Sequence, residues 1–123
     1  TNVHASARAI STLYTSLAHG GTHNNVSLLP QDVLNTASSE VSMGDDRILH
    51  RTSRFAHGFQ LPIPERGFGP NVESFGHFGA GGSVGFCDPV ATVGFGYVMN
   101  QMGPRWQNPR NKALINSLYS VLQ

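Results

Sequence analysis

The chain has 123 residues, 39% of them hydrophobic and 12% charged, with a formal net charge of +1. Those figures allow one modest core in a single domain, and they leave no basic stripe to neutralise phosphates, which argues against nucleic acid as a partner. No apolar run approaches the ~20 residues of a membrane-spanning helix, and Cys87, the single cysteine, rules out an intrachain disulfide and a thiolate metal cluster.

The sequence opens at Thr1 without a methionine and passes almost at once into a helical pattern, so a preceding N-terminal part is expected. From Ala5 to Ala18 the apolar residues Ala9, Ile10, Leu13, Tyr14 and Leu17 recur at three- and four-residue spacing, the signature of an amphipathic helix. Asn2 or Ser6 is placed to cap it, and His19-Gly20-Gly21 to stop it. His19 and His23 stand four apart, but the glycines between them break the helix that would align two metal ligands. They read as exposed loop histidines, and no metal is expected.

Leu28 to Leu34 predicts a short helix with Pro30 in its first turn. The polar stretch from Ser38 to Arg54 has no sustained period and reads as a long loop, with Asp45-Asp46 in a solvated turn and Arg47 and Arg51 available to pair with them. Phe55 to Leu61 reads as a strand ended by Pro62 and Pro64, and Glu65 to Pro70 as a glycine- and proline-rich turn.

The stretch from Ser74 to Asn100 predicts three short strands. The first ends at His77-Phe78-Gly79 and runs into Ala80-Gly81-Gly82-Ser83, backbone so bare of side chains that another molecule could approach it closely. A second strand, Ser83 to Cys87, reaches an Asp88-Pro89 turn, and Cys87 within it reads as a small buried hydrophobe. In the third, Ala91 to Met99, Val93, Phe95, Tyr97 and Met99 share one face, while Thr92, Gly94, Gly96 and Val98 leave the other flat. Asn108-Pro109 is a strong helix start, followed by Leu114, Ile115, Leu118, Tyr119, Val121 and Leu122. The expected fold is therefore α/β of the α+β kind: an antiparallel sheet of about four strands flanked by N- and C-terminal helices, with the last helix on the Gly94/Gly96 face and Leu118 buried beneath it.

Two chemical signals stand in the glycine-rich region. Gly81-Gly82-Ser83-Val84-Gly85 fits the G-x-S-x-G of a nucleophile elbow, but a strand follows Ser83 where an elbow needs a helix. His77 sits at a strand end, where it could donate to a substrate or be a core histidine with a satisfied hydrogen bond. The residues alone leave both readings open.

The run from His77 to Phe86, the Asp88-Pro89 turn, the glycine-rich strand through Tyr97-Val98-Met99-Asn100 and the Asn108-Pro109 helix together resemble the C-terminal part of the serine beta-lactamase-related family, in its esterase-like and penicillin-binding-protein-like branch. The resemblance covers nearly the whole chain and is strongest from Phe75 to Asn100. His77-Phe78-Gly79 matches the His-x-Gly form of that family's strand motif. This implies that Ala80, after the motif glycine, offers its backbone N–H as one oxyanion donor and that His77 lines the pocket, with Phe78, Gly79 and Gly81 beside the substrate. Neither the family's Ser-x-x-Lys nor its tyrosine motif is present: Lys112 is the sole lysine and follows Pro109 by three, and Tyr97 is separated from Asn100 by one residue too many.

The resemblance thus implies that residues 1–123 are the C-terminal portion of a single beta-lactamase-related domain. They would supply part of a serine hydrolase site for a small ester or amide substrate, without a cofactor, and would be inactive alone. A catalytically inactive relative kept as a binding or structural protein is the alternative.

Overall fold

The computed structural model describes residues 3–104 and 106–122. Helix α1 (Ala7–Ala18) begins where the Ser6 hydroxyl accepts from the Ala9 N–H at 3.2 Å, and it ends at His19. Gly20 and Gly21 follow at positive φ. Strands β1 (Thr22–His23) and β2 (Val26–Ser27) form a two-residue hairpin whose turn, Asn24-Asn25, has φ of 50° and 61°. Two left-handed residues in succession match the twist of a tight hairpin, and asparagine tolerates that backbone better than most side chains. Helix α2 (Gln31–Ser38) follows with Pro30 as its N-cap residue, one position outside the helix.

The expected loop from Ser38 to Arg54 is instead largely a hairpin of β3 (Glu40–Asp46) and β4 (Arg51–Ala56). Its turn is held by the Asp46 carboxylate, which accepts from the Ile48 and Leu49 N–H groups at 2.8 Å each. These two amides, Leu49 first, hold the Asp46 carboxyl below the ordinary carboxylate value. Six of the seven β3 residues are exposed, so the strand carries no buried face and no apolar alternation by which it could be read. The strand expected over Phe55 to Leu61 stops at Ala56. The chain turns at His57-Gly58, and Gln60 then bridges Phe55 to Gly76, donating to the Gly76 carbonyl at 2.7 Å and accepting from its N–H at 3.1 Å.

Beyond that bridge lie β5 (Phe75–Phe78), β6 (Val84–Asp88) and β7 (Val93–Tyr97), an antiparallel meander with Phe75 opposite Cys87 and Phe86 opposite Phe95. The β6–β7 turn is fixed by Asp88, which is fully buried. One of its carboxylate oxygens accepts from the Val90 and Ala91 N–H groups, and the other from the Asn71 amide at 2.8 Å and the Tyr119 hydroxyl at 2.6 Å. Four donors compensate a carboxylate taken out of water. Burial and the bond to Asp88 push the Tyr119 hydroxyl well above its ordinary pKa.

The two faces of this sheet take different helices, and not in the expected order. Gly85, Gly94 and Gly96 lie under α1: a side chain at Gly94 would overlap the Thr15 backbone, one at Gly96 would meet Ala7 and Ser11, and one at Gly85 would meet Ile10 and Tyr14. Helix α3 (Pro109–Leu122) packs on the opposite, aromatic face, where Ile115 and Tyr119 join Phe68, Phe78, Val84 and Phe86. Leu118 is only half-buried, and Leu114 and Val121 are 45% and 78% exposed. The buried stripe of α3 is Asn111, Ile115 and Tyr119, a line of period four that begins with a polar residue, so of the six apolar residues expected along the helix only Ile115 and Tyr119 are buried. On the α1 side a second cluster gathers Leu17, Ala18, Leu34, Phe75 and Cys87.

Candidate functional site

The site is built where β5 ends. Within β5, Phe75 and His77 face the α1 side and Phe78 the aromatic side, as their partners Cys87, Gly85 and Val84 require. The Phe78 ring is 2% exposed and stacks on Phe68 with centroids 4.8 Å apart, so it is committed to the core and offers the site its backbone only. His77 is exposed, and its Nδ1 lies 2.8 Å from the Phe78 carbonyl oxygen. A carbonyl can only accept, so the neutral ring carries its proton on Nδ1 and presents Nε2 as an acceptor.

After Phe78 the chain makes one tight turn over Ala80–Gly82. It is closed by Gly79 N–H donating to Ser83 O at 2.8 Å and Gly82 N–H donating to Gly79 O at 3.1 Å. Gly81 and Gly82 have φ of +83° and +108°, and a side chain at Gly79 would overlap the Ser83 hydroxyl. Here glycine is required by conformation and by space. Ser83 leads directly into β6, so the strand–turn–helix of a nucleophile elbow is absent at this position.

The turn is clamped from outside by the start of α3 and the segment before it. The Gly81 carbonyl accepts from Gly103 N–H at 2.7 Å, Asn108 Nδ2 at 3.3 Å and Arg110 Nη2 at 3.4 Å. The Gly82 carbonyl accepts from Asn111 Nδ2 at 3.0 Å, and the same nitrogen donates to Trp106 O at 2.8 Å. The two asparagines also cap the helix reciprocally. Asn108 Oδ1 accepts from Arg110 N–H, and Asn111 Oδ1 accepts from Asn108 N–H, a capping box with asparagine where glutamate or glutamine is usual. The Asn108-Pro109 start was legible in the sequence. The reach of both amides to a turn nearly thirty residues earlier was not.

With Gly79 and Gly82 donating inside the turn, the N–H of Ala80 has no hydrogen-bond partner among the described residues, and Ala80 is exposed. Ala80 and Gly81 line a cavity of about 640 Å³ together with Arg51, Arg66, Met102, Trp106 and Lys112. A larger cavity of about 940 Å³ lies between α3, the β3–β4 hairpin and the 62–72 loop, and it touches none of residues 77–81. The smaller one is the better site because it meets the Ala80 N–H at the end of the motif strand. His77 does not line it, so the structure brings Ala80 and Gly81 together and leaves His77 on the other face of β5.

Arg51 was expected to pair with the aspartates of the hairpin turn. Instead its guanidinium lies over Trp106, 3.7 Å from the ring centroid. Among the described residues the ion pair is Arg54 with Glu40, at 2.7 Å. His19 and His23 lie with ring centroids 4.6 Å apart, and no group of three or more His, Cys, Asp or Glu able to hold a metal occurs among the described residues. Burial pushes the Cys87 thiol up to about 12, so it is a core group and not a nucleophile. No helix among the described residues is long and apolar enough to cross a membrane.

The α+β fold thus carries, between the first two strands of its meander, a tight glycine turn pinned by the first turn of a C-terminal helix. Comparison with known proteins shows which family has this arrangement. The beta-lactamase family profile matches residues 1–120, and the chain belongs to that family. It is 32% identical over 100 residues to the esterase/beta-lactamase LipL of Mycobacterium tuberculosis, a match covering 80% of this chain and 22% of LipL. A penicillin-binding protein homologue from Caulobacter crescentus superposes with a TM-score of 0.89 at 38% identity, covering 94% of this chain and 32% of that one. A family VIII carboxylesterase does so with a TM-score of 0.87 at 35% identity, covering 93% and 31%. The chain thus spans about a fifth of the curated relative and about a third of each solved structure.

Proposed function

We propose that residues 1–123 form the C-terminal portion of an ester- or amide-hydrolysing domain that works through an acyl-serine intermediate, and that they supply one wall of its site and one oxyanion donor, the Ala80 N–H. The observation that carries this reading is that amide: it belongs to an exposed residue, has no partner among the described residues, and sits in a turn held by the Gly79 and Gly82 N–H groups and by the Gly81 and Gly82 carbonyls. A donor fixed in place before reaction stabilises the developing oxyanion at no cost in reorganisation, about 2.7–4 kcal/mol for one donor. Kinship with proteins named as esterases favours an ester as the substrate. The serine nucleophile and its proton-handling partners would come from residues outside this chain, since its sole lysine, Lys112, lies in α3 with Pro109 three positions before it. Gly79 and Gly81 let the substrate approach the backbone, and His77, on the other face of β5, would act only as a positioning residue, through the Phe78 carbonyl that its Nδ1 holds.

Ala80→Pro in the full-length protein tests this directly. Ala80 is the first residue of the turn and Gly79 before it is extended (φ −95°, ψ 159°), so proline fits there and removes little but the N–H. Single-turnover acylation by a 4-nitrophenyl ester should fall roughly 10²–10³-fold, with the circular dichroism spectrum unchanged. His77→Ala should lower it less, and Ser83→Ala should leave it near the starting value. Unchanged acylation in Ala80→Pro would remove the amide from the mechanism, and a full-length protein that forms no acyl-enzyme would favour the non-catalytic alternative.

A further inference from the structure

The Ala80 N–H stands at the end of a hydrogen-bond line that begins on a charge. Its own peptide group joins Gly79 to Ala80, and the carbonyl of that group accepts from the Gly82 N–H at 3.1 Å. The Gly82 N–H belongs in turn to the peptide between Gly81 and Gly82. The carbonyl of that second peptide accepts from Gly103 N–H at 2.7 Å, Asn108 Nδ2 at 3.3 Å and Arg110 Nη2 at 3.4 Å. A trans peptide sets its C=O and N–H on opposite edges, so the two groups run head to tail, from three donors at one end to a bare amide at the other.

Arg110 is the charged donor of the three. It sits in the first turn of α3, where a cation opposes the helix dipole, and among the described residues no carboxylate pairs with it. What its guanidinium meets is a pair of carbonyls, Gln101 O at 3.0 Å through Nη1 and Gly81 O through Nη2. An amide whose carbonyl already accepts a hydrogen bond becomes a stronger donor itself, and a charged donor polarises more than a neutral one. Gly81 and Gly82 are buried, so water does not compete along the line.

We propose that Arg110 is a positioning residue for the oxyanion donor: through the Gly81–Gly82 and Gly79–Ala80 peptides it holds the turn and strengthens the Ala80 N–H toward the charge that develops on the substrate. It touches no substrate itself, and its role rests on the hydrolase reading above. A neighbour in a hydrogen-bond chain strengthens a bond by about 10–30%. Applied to a donor that accounts for roughly 10²–10³ in rate, this gives about two- to eightfold.

The test is a double-mutant cycle in the full-length protein, read by single-turnover acylation with 4-nitrophenyl butyrate. Arg110→Gln should slow acylation about two- to eightfold, and in steady state kcat should fall with KM little changed. Arg110→Lys, which keeps the charge on a shorter reach to the carbonyl, should fall between. In the Ala80→Pro background the line no longer ends in an N–H, so adding Arg110→Gln should leave the rate where Ala80→Pro alone puts it. Infrared difference spectra of the acyl-enzyme give a second readout: a weaker donor leaves the ester carbonyl stiffer, so its band should move to higher wavenumber in Arg110→Gln. Arg110 is exposed, and circular dichroism should show both of its variants folded.

An equal fold loss with and without the Ala80 N–H, or a carbonyl band that stays in place while the rate falls, would make Arg110 merely structural and overturn the proposal. An Arg110→Gln protein as fast as its parent would overturn it too. In each of these cases a slow Ala80→Pro protein leaves the hydrolase reading standing. Ala80→Pro acylating at the parent rate, or a full-length protein that forms no acyl-enzyme, would instead sink the hydrolase reading and the role of Arg110 with it.

Discussion

On one face of the β5–β6–β7 sheet, Gly85, Gly94 and Gly96 bring the α1 backbone against the strands; on the other, Phe68, Phe78, Phe86 and Tyr119 hold α3 at side-chain length. The first contact is fixed by what is missing, since any side chain at Gly94 overlaps Thr15. The second is fixed by volume and by two buried asparagines. Only the second reaches the candidate site, because Asn108 and Asn111 connect α3 to the Ala80–Gly82 turn. Damage to the glycine face should therefore act on stability alone, whereas damage at the head of α3 should act on stability and chemistry together.

The largest effect is expected from the aromatic layer. Phe86 is fully buried between Phe68 and Phe95, with ring centroids at 5.4 and 5.1 Å. Phe86→Ala should cost about 3–5 kcal/mol in chemical denaturation of the full-length protein. Gly94→Ala probes the opposite face by overlap and should cost about 1–3 kcal/mol, toward the upper end because the atoms met belong to a backbone that cannot rotate away. A Gly94→Ala protein as stable as its parent would mean that α1 does not sit against the strand.

Asn111→Ala sharpens the contrast. It strands the Gly82 and Trp106 carbonyls, for about 1–3 kcal/mol of stability, and, on the proposed function, by loosening the turn it should lower kcat of the full-length protein more than it raises KM. Gly94→Ala, measured beside it at a temperature where both stay folded, should leave the kcat-to-KM balance as it was.

The smallest effect belongs to Cys87, under α1. Burial raises its thiol from the ordinary 9.0 to about 12. A raised folded value means a contribution fully present below the unfolded pKa and lost as pH climbs from about 9 toward about 12, so neutral-pH stability should be indifferent to it. Ellman's reagent should modify Cys87 only on unfolding, and fast labelling of the native protein would show the α1–sheet contact to be open.

Several parts of this architecture were written locally. The α1 spacing and its Ser6 cap, the period-two run through Phe95, the Asn108-Pro109 helix start and the bare turn after Phe78 each depend on neighbours within a few residues, and the structure has all of them. The placement of Ala80 at a strand end also came from the chain itself, through the His77-Phe78-Gly79 motif.

Tertiary structure decided the rest. A glycine-lined strand is flat to any helix, so the choice of α1 over α3 depended on the small backbone-side contacts of Ala7, Ser11 and Thr15, some eighty residues from the strand they cover. Strand β3 lay hidden because exposure on both faces leaves no apolar period to read. The asparagine clamp and the Arg51–Trp106 stack were invisible for a third reason: they join residues 27 to 55 positions apart, and a hydrogen bond or cation–π contact between distant groups leaves no periodic trace in the sequence that makes it.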